Sequence, residues 1–338
     1  MRTHLLFAAV TLALSSAAVA QTPGKAAPTQ PVVQGTKQLD GENAKLGQTF
    51  TIGKQSPLNF TLRAAEYSTN RVVIGGNIYY PKADEKLLVL RYTVQNPQKG
   101  EVQYYWGDLA FTAVDALDRN HEYVQAVARD GTTDKLEVRL KPAQKIDVVT
   151  LIVVPAAGPV PKLIVQRPGD RGAAVLRYDL RGQARPVAAP AADPADTSGS
   201  TALARVPAAK GKPVQLKYFD VTFQDAAFTT EPLGGRAPAP GKRYLTATFV
   251  VRNGLTRDVQ YYWGDFKASL RDADGERVEY NQTMLKASRD EKSSGTLPVG
   301  EDVRVRFFWE LPEKVAGDRV QLTDESGRTF EFDVSGVK

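Results

Sequence analysis

The sequence predicts an all-β chain of two tandem immunoglobulin-like β-sandwiches joined by a Pro/Ala/Ser-rich linker. Three observations predict it. Apolar residues alternate with polar ones in runs of strand length, turn-forming residues separate those runs at short intervals, and one seven-residue segment occurs twice inside a larger repeat.

The alternation is plain in Phe60, Leu62 and Ala64, in Leu88, Leu90, Tyr92 and Val94, and in Leu245, Ala247, Phe249 and Val251. A period of two with aromatic and β-branched residues marks strands that bury one face. Gly75-Gly76-Asn77, Asn96-Pro97, Asp272-Ala273-Asp274-Gly275 and Asp324-Glu325-Ser326-Gly327 supply the turns. Many short strands with such punctuation predict a sandwich. No amphipathic stretch of helix length occurs after the first twenty residues.

Val102-Gln103-Tyr104-Tyr105-Trp106-Gly107-Asp108 recurs letter for letter as Val259-Gln260-Tyr261-Tyr262-Trp263-Gly264-Asp265. Around it, Asn96 matches Asn253, and Asp115, Tyr123 and Gln125 match Asp272, Tyr280 and Gln282 at the same offset. The repeat therefore has the length of a domain. It divides the chain into an export signal at 1–20, a disordered leader at 21–46, one sandwich at 47–183, a flexible linker at 184–212 and a second sandwich at 213–338. The signal rests on Arg2 and His4, an apolar run over 5–14 and Ala18-Val19-Ala20 as a small-residue cleavage site. Its apolar run is too short to span a bilayer, and no later one is longer, so no transmembrane segment is expected in the mature chain. A periplasmic or extracellular location follows as the expectation.

Composition narrows the chemistry. The chain has 338 residues, 42% of them hydrophobic and 24% charged, which is the balance of a folded globular protein. With no cysteine, disulfides and thiolate metal sites are excluded and each sandwich must rest on its apolar core. The net charge of +6 favours acidic polymers as partners, although Lys and Arg are interspersed with Asp and Glu and form no run. Beyond the signal only His121 remains, too few imidazoles for a His-based metal site or a hydrolytic triad, and no nucleophile elbow or phosphate-binding glycine loop is present. No cofactor, metal or catalytic residue is expected, nor nucleic-acid binding.

Two further stretches, Tyr80-Pro81-Lys82 with 87–96 and Pro240-Gly241-Lys242 with 244–253, carry an extended segment, an alternating strand, then Asn and a turn. In this the chain resembles a family of bacterial extracytoplasmic immunoglobulin-like domains of unknown function. The resemblance implies the fold and a binding or envelope role, and it transfers no functional residue. The lipid-anchored arrangement usual in that family lacks its cysteine here.

Within the repeated heptad, strand alternation places Val102, Tyr104 and Trp106 on one face and Gln103 and Tyr105 on the other. Tyr104, Trp106, Tyr261 and Trp263 are the expected core residues. Tyr105 and Tyr262, with Gln103 and Gln260, form the candidate binding surface, a flat aromatic platform for a sugar ring or a partner side chain. The expected function is that of an exported, non-enzymatic module binding a protein or an envelope polymer. The alternatives are a structural subunit of a surface layer and a hydrolase using the repeated carboxylates Asp108, Asp115, Asp265 and Asp272. Turn initiation accounts for those four without catalysis. Neither the ligand nor the oligomeric state is legible.

Overall fold

The computed structural model describes residues 43–170, 172–278 and 280–337. The export signal and the leader up to residue 42 lie outside the described residues. The first sandwich contains β1 (Thr49–Ile52), β2 (Leu58–Ser68), β3 (Val72–Ile74), β4 (Asn77–Tyr79), β5 (Glu85–Gln95), β6 (Val102–Tyr104), β7 (Ala110–Val114), β8 (Asn120–Glu122), β9 (Ala128–Arg129), β10 (Val138–Leu140), β11 (Lys145–Pro155), β12 (Lys162–Gln166) and β13 (Leu176–Asp179). The second contains β14 (Arg205–Ala208), β15 (Pro213–Gln215), β16 (Phe219–Thr229), β17 (Lys242–Asn253), β18 (Val259–Tyr261), β19 (Ser269–Asp272), β20 (Arg277–Val278), β21 (Leu285–Lys286), β22 (Gly295–Leu297), β23 (Asp302–Pro312), β24 (Gly317–Thr323) and β25 (Thr329–Asp333).

Both sandwiches have one architecture. The sheet β1-β2-β5-β11-β9 faces β13-β12-β7-β8, as β15-β16-β17-β23-β21 faces β14-β25-β24-β19-β20, and the small ladders β10-β6 and β18-β22 correspond. A parallel contact also recurs. β14 runs parallel to β25, and Ala44 bridges Tyr178 in parallel, so residues 43–46 belong to the first sandwich and the disordered leader expected there is corrected.

Alternation puts Leu88, Leu90, Tyr92 and Val94 of β5 and Leu245, Ala247, Phe249 and Val251 of β17 inside. In β2 the parity shifts at a bulge between Leu62 and Ala64, after which Ala65 and Tyr67 join the core. One extra residue flips every later side chain, which period-two reading cannot foresee. β16 has the same irregularity between Phe223 and Asp225. Rings of Phe60, Tyr92 and Phe111 pack 5.0–6.0 Å apart in the first core. The second core gathers Phe249, Phe266, Phe307, Phe332 and Trp309.

The sandwiches meet end to end through buried cations. Arg71, after β2, donates to the carbonyls of Leu216 at 2.8 Å, Phe219 at 3.2 Å and Gly254 at 3.2 Å, and pairs with Asp220 at 2.6 Å. In the reverse direction the fully buried Arg328, between β24 and β25, donates to the carbonyls of Pro81, Lys82, Ala83, Glu85 and Leu203. Tyr80 adds a hydroxyl bond of 2.9 Å to the Gln215 carbonyl.

The linker expected to be flexible over 184–212 is likewise corrected. Val187, Ala191 and Ala202 are buried, Arg185 exchanges backbone hydrogen bonds with Ala65 and Tyr67, and Ala202 N–H donates to the Ala156 carbonyl. Asp196 accepts the N–H groups of Ser198 and Thr201, making a turn from its own side chain. The buried Lys86 ammonium then pins that turn by donating to the carbonyls of Ala156, Gly158 and Ser200, with its charge 4.5 Å from the Tyr67 ring centre. Small Ala and Pro side chains allow this close packing, so a composition that reads as a loose tether is ordered here by partners outside it.

Candidate functional site

The repeated heptad folds the same way twice. The strand pairing of β6 ends at Tyr104, Tyr105 stays extended, and residues 106–108 make one 3₁₀ turn. Asp108 causes the departure from the strand. Its carboxylate accepts the Tyr105 N–H at 2.9 Å, while its own N–H donates to the Tyr105 carbonyl at 3.2 Å. Asp265 and Tyr262 repeat both bonds at 2.9 and 3.2 Å. The tyrosine ring lies directly over the glycine, so that a Cβ at Gly107 would sit 2.7 Å from the Tyr105 ring and one at Gly264 2.5 Å from that of Tyr262. The neighbouring indole meets the ring edge-on, at 5.9 Å for Tyr105–Trp106 and 6.0 Å for Tyr262–Trp263.

This geometry corrects the placement of the tryptophans. Trp106 is half-buried and Trp263 is 38% exposed, because the turn rotates them out of the strand register that carries Tyr104 and Tyr261 inward. Tyr104 is buried with its hydroxyl 2.8 Å from that of Tyr92, and Tyr261 reaches the Ser293 hydroxyl at 3.2 Å. The interior indole of the second sandwich is Trp309, fully buried on β23 within the legible alternation Val305, Phe307, Trp309, Leu311.

Tyr105 is 39% and Tyr262 51% exposed. Gln103 and Gln260 lie exposed on the same strands, bonded to the Glu137 carboxylate at 2.7 Å and the Thr296 hydroxyl at 2.5 Å. Each copy therefore presents an outward tyrosine beside an edge-on tryptophan on a frame of glycine and aspartate, with Trp106 packed partly against the core and Trp263 open to solvent.

The surroundings differ between copies. In the first, the buried Arg167 reaches Asp108 at 3.3 Å. Burial pushes the Asp108 carboxyl up, against the opposing pull of the Tyr105 N–H and of Arg167. In the second, a cavity of about 230 Å³ opens beside Tyr262, lined also by Lys217, Tyr218, Asp265, Asp324 and Glu325. Burial raises Asp265, and the nearby Glu325 charge adds to the rise while the Tyr262 N–H opposes it.

The other repeated carboxylates serve turns. Asp115 accepts the N–H groups of Leu117 and Arg119 at 2.8 and 3.0 Å and meets Arg119 Nε and His121 Nε2 at 2.9 Å each. Hydrogen bonding to His121 is the largest cause holding its carboxyl well below the usual range. Asp272 accepts the N–H groups of Asp274 and Glu276. Among the described residues, no group of three or more His, Cys, Asp or Glu gathers as a metal would require, and no helix is long and apolar enough to cross a membrane. The roles of Arg71 and Arg328 at the junction and of Lys86 at the linker turn leave no mark in the sequence, since most of their partners are backbone carbonyls.

No protein-family model and no curated protein matches the chain. Solved structures similar to it include a β-sandwich protein and a secreted protein. An uncharacterized β-sandwich protein from Clostridium difficile 630 is 14% identical with a TM-score of 0.30, over 38% of this chain and 92% of that one. The secreted protein MPT63 from Mycobacterium tuberculosis is 19% identical with a TM-score of 0.29, over 41% of this chain and 96% of its own. The yjhA protein from Bacillus subtilis is 12% identical with a TM-score of 0.27, over 37% and 98%.

Proposed function

We propose that the chain is an exported, non-enzymatic binding protein of the cell envelope or extracellular space, and that its two Tyr–Trp corners are the contact points for a protein or envelope polymer. One observation carries the reading. Among the described residues, the exposed large hydrophobic side chains are Tyr105, Leu117, Tyr262, Trp263 and Val299, so three of the five come from the repeated heptad. Aromatic rings held outward by a fixed local frame lose little conformational freedom on contact, which suits them to stacking. The use of Asp108, Asp115, Asp265 and Asp272 as backbone caps supports a binding role over a hydrolytic one.

The test is cosedimentation of the purified mature protein with isolated cell envelope, comparing it with the triple variant Tyr105→Ala, Tyr262→Ala, Trp263→Ala. Loss of one stacking contact costs about 1 kcal/mol, so the triple variant should bind at least tenfold more weakly. Equal binding by both proteins defeats the proposal. So does turnover of an envelope glycan that disappears in Asp108→Asn, Asp265→Asn.

A further inference from the structure

The outward faces of the two main sheets differ in charge pairing. In the first sandwich, Arg91 pairs with Glu66 and Asp130, and Arg63 with Asp130 and Asp147. Asp147 stands opposite Thr93 on β5, and Arg304 stands opposite Val250 on β17. Thr93 and Val250 each lie three residues before the asparagine, Asn96 or Asn253, whose side chain bonds the Leu140 or Leu297 carbonyl. Arg304 therefore occupies the place of Asp147, and the second copy puts a cation where the first has a carboxylate.

That cation is exposed and its guanidinium has no hydrogen-bond or ion-pair partner among the described residues. It lines a cavity of about 330 Å³ with Lys286, Ser288, Ser293 and Tyr261, and no carboxylate is part of that lining. Lys286 meets Glu291 at 2.7 Å, a pair open to water on both sides. Two residues along the same face, Arg306 has a buried Nε with no partner. Cationic and hydroxyl donors around a cavity without a lining acid are complementary to an oxyanion, since charge-assisted bonds from guanidinium to phosphate are strong and directional.

We propose that this cavity is an anion-binding subsite of the second sandwich, taking a phosphate group with Arg304 as its principal ligand. The site is separate from the Tyr–Trp corners, and its failure would leave them untouched. The test is NMR titration of the full mature protein with inorganic phosphate and, in a second arm, with linear polyphosphate. Variants are Arg304→Gln, Arg304→Asp, and Arg252→Gln as a control on the same face. Saturable shifts at Lys286, Ser288 and Arg304 are expected, weakened about tenfold or more in Arg304→Gln, abolished in Arg304→Asp and kept in Arg252→Gln. Binding of inorganic phosphate identifies the small anion as sufficient. Binding of polyphosphate alone identifies a polymer-borne phosphate. Absence of saturable binding in both arms, or equal binding by the native protein and Arg304→Gln, overturns the assignment.

Discussion

Replacing Arg328 by alanine should uncouple the two sandwiches while leaving each one folded. The guanidinium donates to five carbonyls, four from the 81–85 segment of the first sandwich and one at Leu203, and the side chain is wholly buried. A hydrogen bond to a charged group contributes about 1.5–3 kcal/mol, and the desolvation of a buried ion offsets several kcal/mol of the sum. A net loss of about 3–5 kcal/mol remains. At roughly 1.4 kcal/mol per power of ten, the ratio of parted to docked sandwiches should rise by two to three and a half powers of ten. Hydrogen exchange read by mass spectrometry should lose protection at 81–86 and 200–204, with the central strands β5 and β17 unchanged, and small-angle scattering should report a larger radius of gyration. Arg328→Lys should fall between the two, because an ammonium has three donors for five acceptors. If Arg328→Ala keeps native protection in both segments and a native scattering profile, the junction does not depend on this residue and the reasoning fails.

Gly107→Ala with Gly264→Ala should displace the overlying tyrosine rings and weaken envelope binding, while chemical denaturation shows a loss of no more than about 1 kcal/mol, because the rings can swing into solvent. A matching loss of binding and of stability would mean that the rings brace the fold. Lys86 gives a pH dependence. Burial lowers its ammonium to about 8, partly opposed by Asp196, from 10.5 for the free side chain. The unfolded chain thus binds more protons between those values, and stability gains a contribution of about 2 kcal/mol as pH rises from 7.5 to 9.5. Subtracting the urea-unfolding free energies of Lys86→Met at both pH values isolates it, and a difference independent of pH would contradict the assignment.

The sandwich was legible because burying one face of a sheet imposes period two, as in Leu245, Ala247, Phe249 and Val251. The bulges in β2 and β16 were not, since one inserted residue changes the facing of Ala65 without leaving a mark in composition. The exposed tyrosines of the heptad followed from alternation, but the tryptophans did not. Strand parity stops at Tyr104, where Asp108 draws the Tyr105 N–H into a turn, and a pattern extended two residues too far assigns Trp106 and Trp263 to the core. The linker misled for a related reason. Ala188, Ala189 and Pro190 have no periodicity of their own, and what orders their neighbourhood is Lys86, about a hundred residues upstream.

The end-to-end docking turns a duplicated motif into a spacing gauge. Tyr262 shares its cavity with Leu216 and Phe219, whose carbonyls receive Arg71, and so stands at the waist of the molecule, whereas Tyr105 sits beside Asp108 and Arg167 at the far tip. The eleven-residue strands between those ends span about 36 Å at roughly 3.3 Å per residue. Under the proposed binding role, a ligand repeating at that interval would engage both corners at once, and one with another period would meet only one of them at a time.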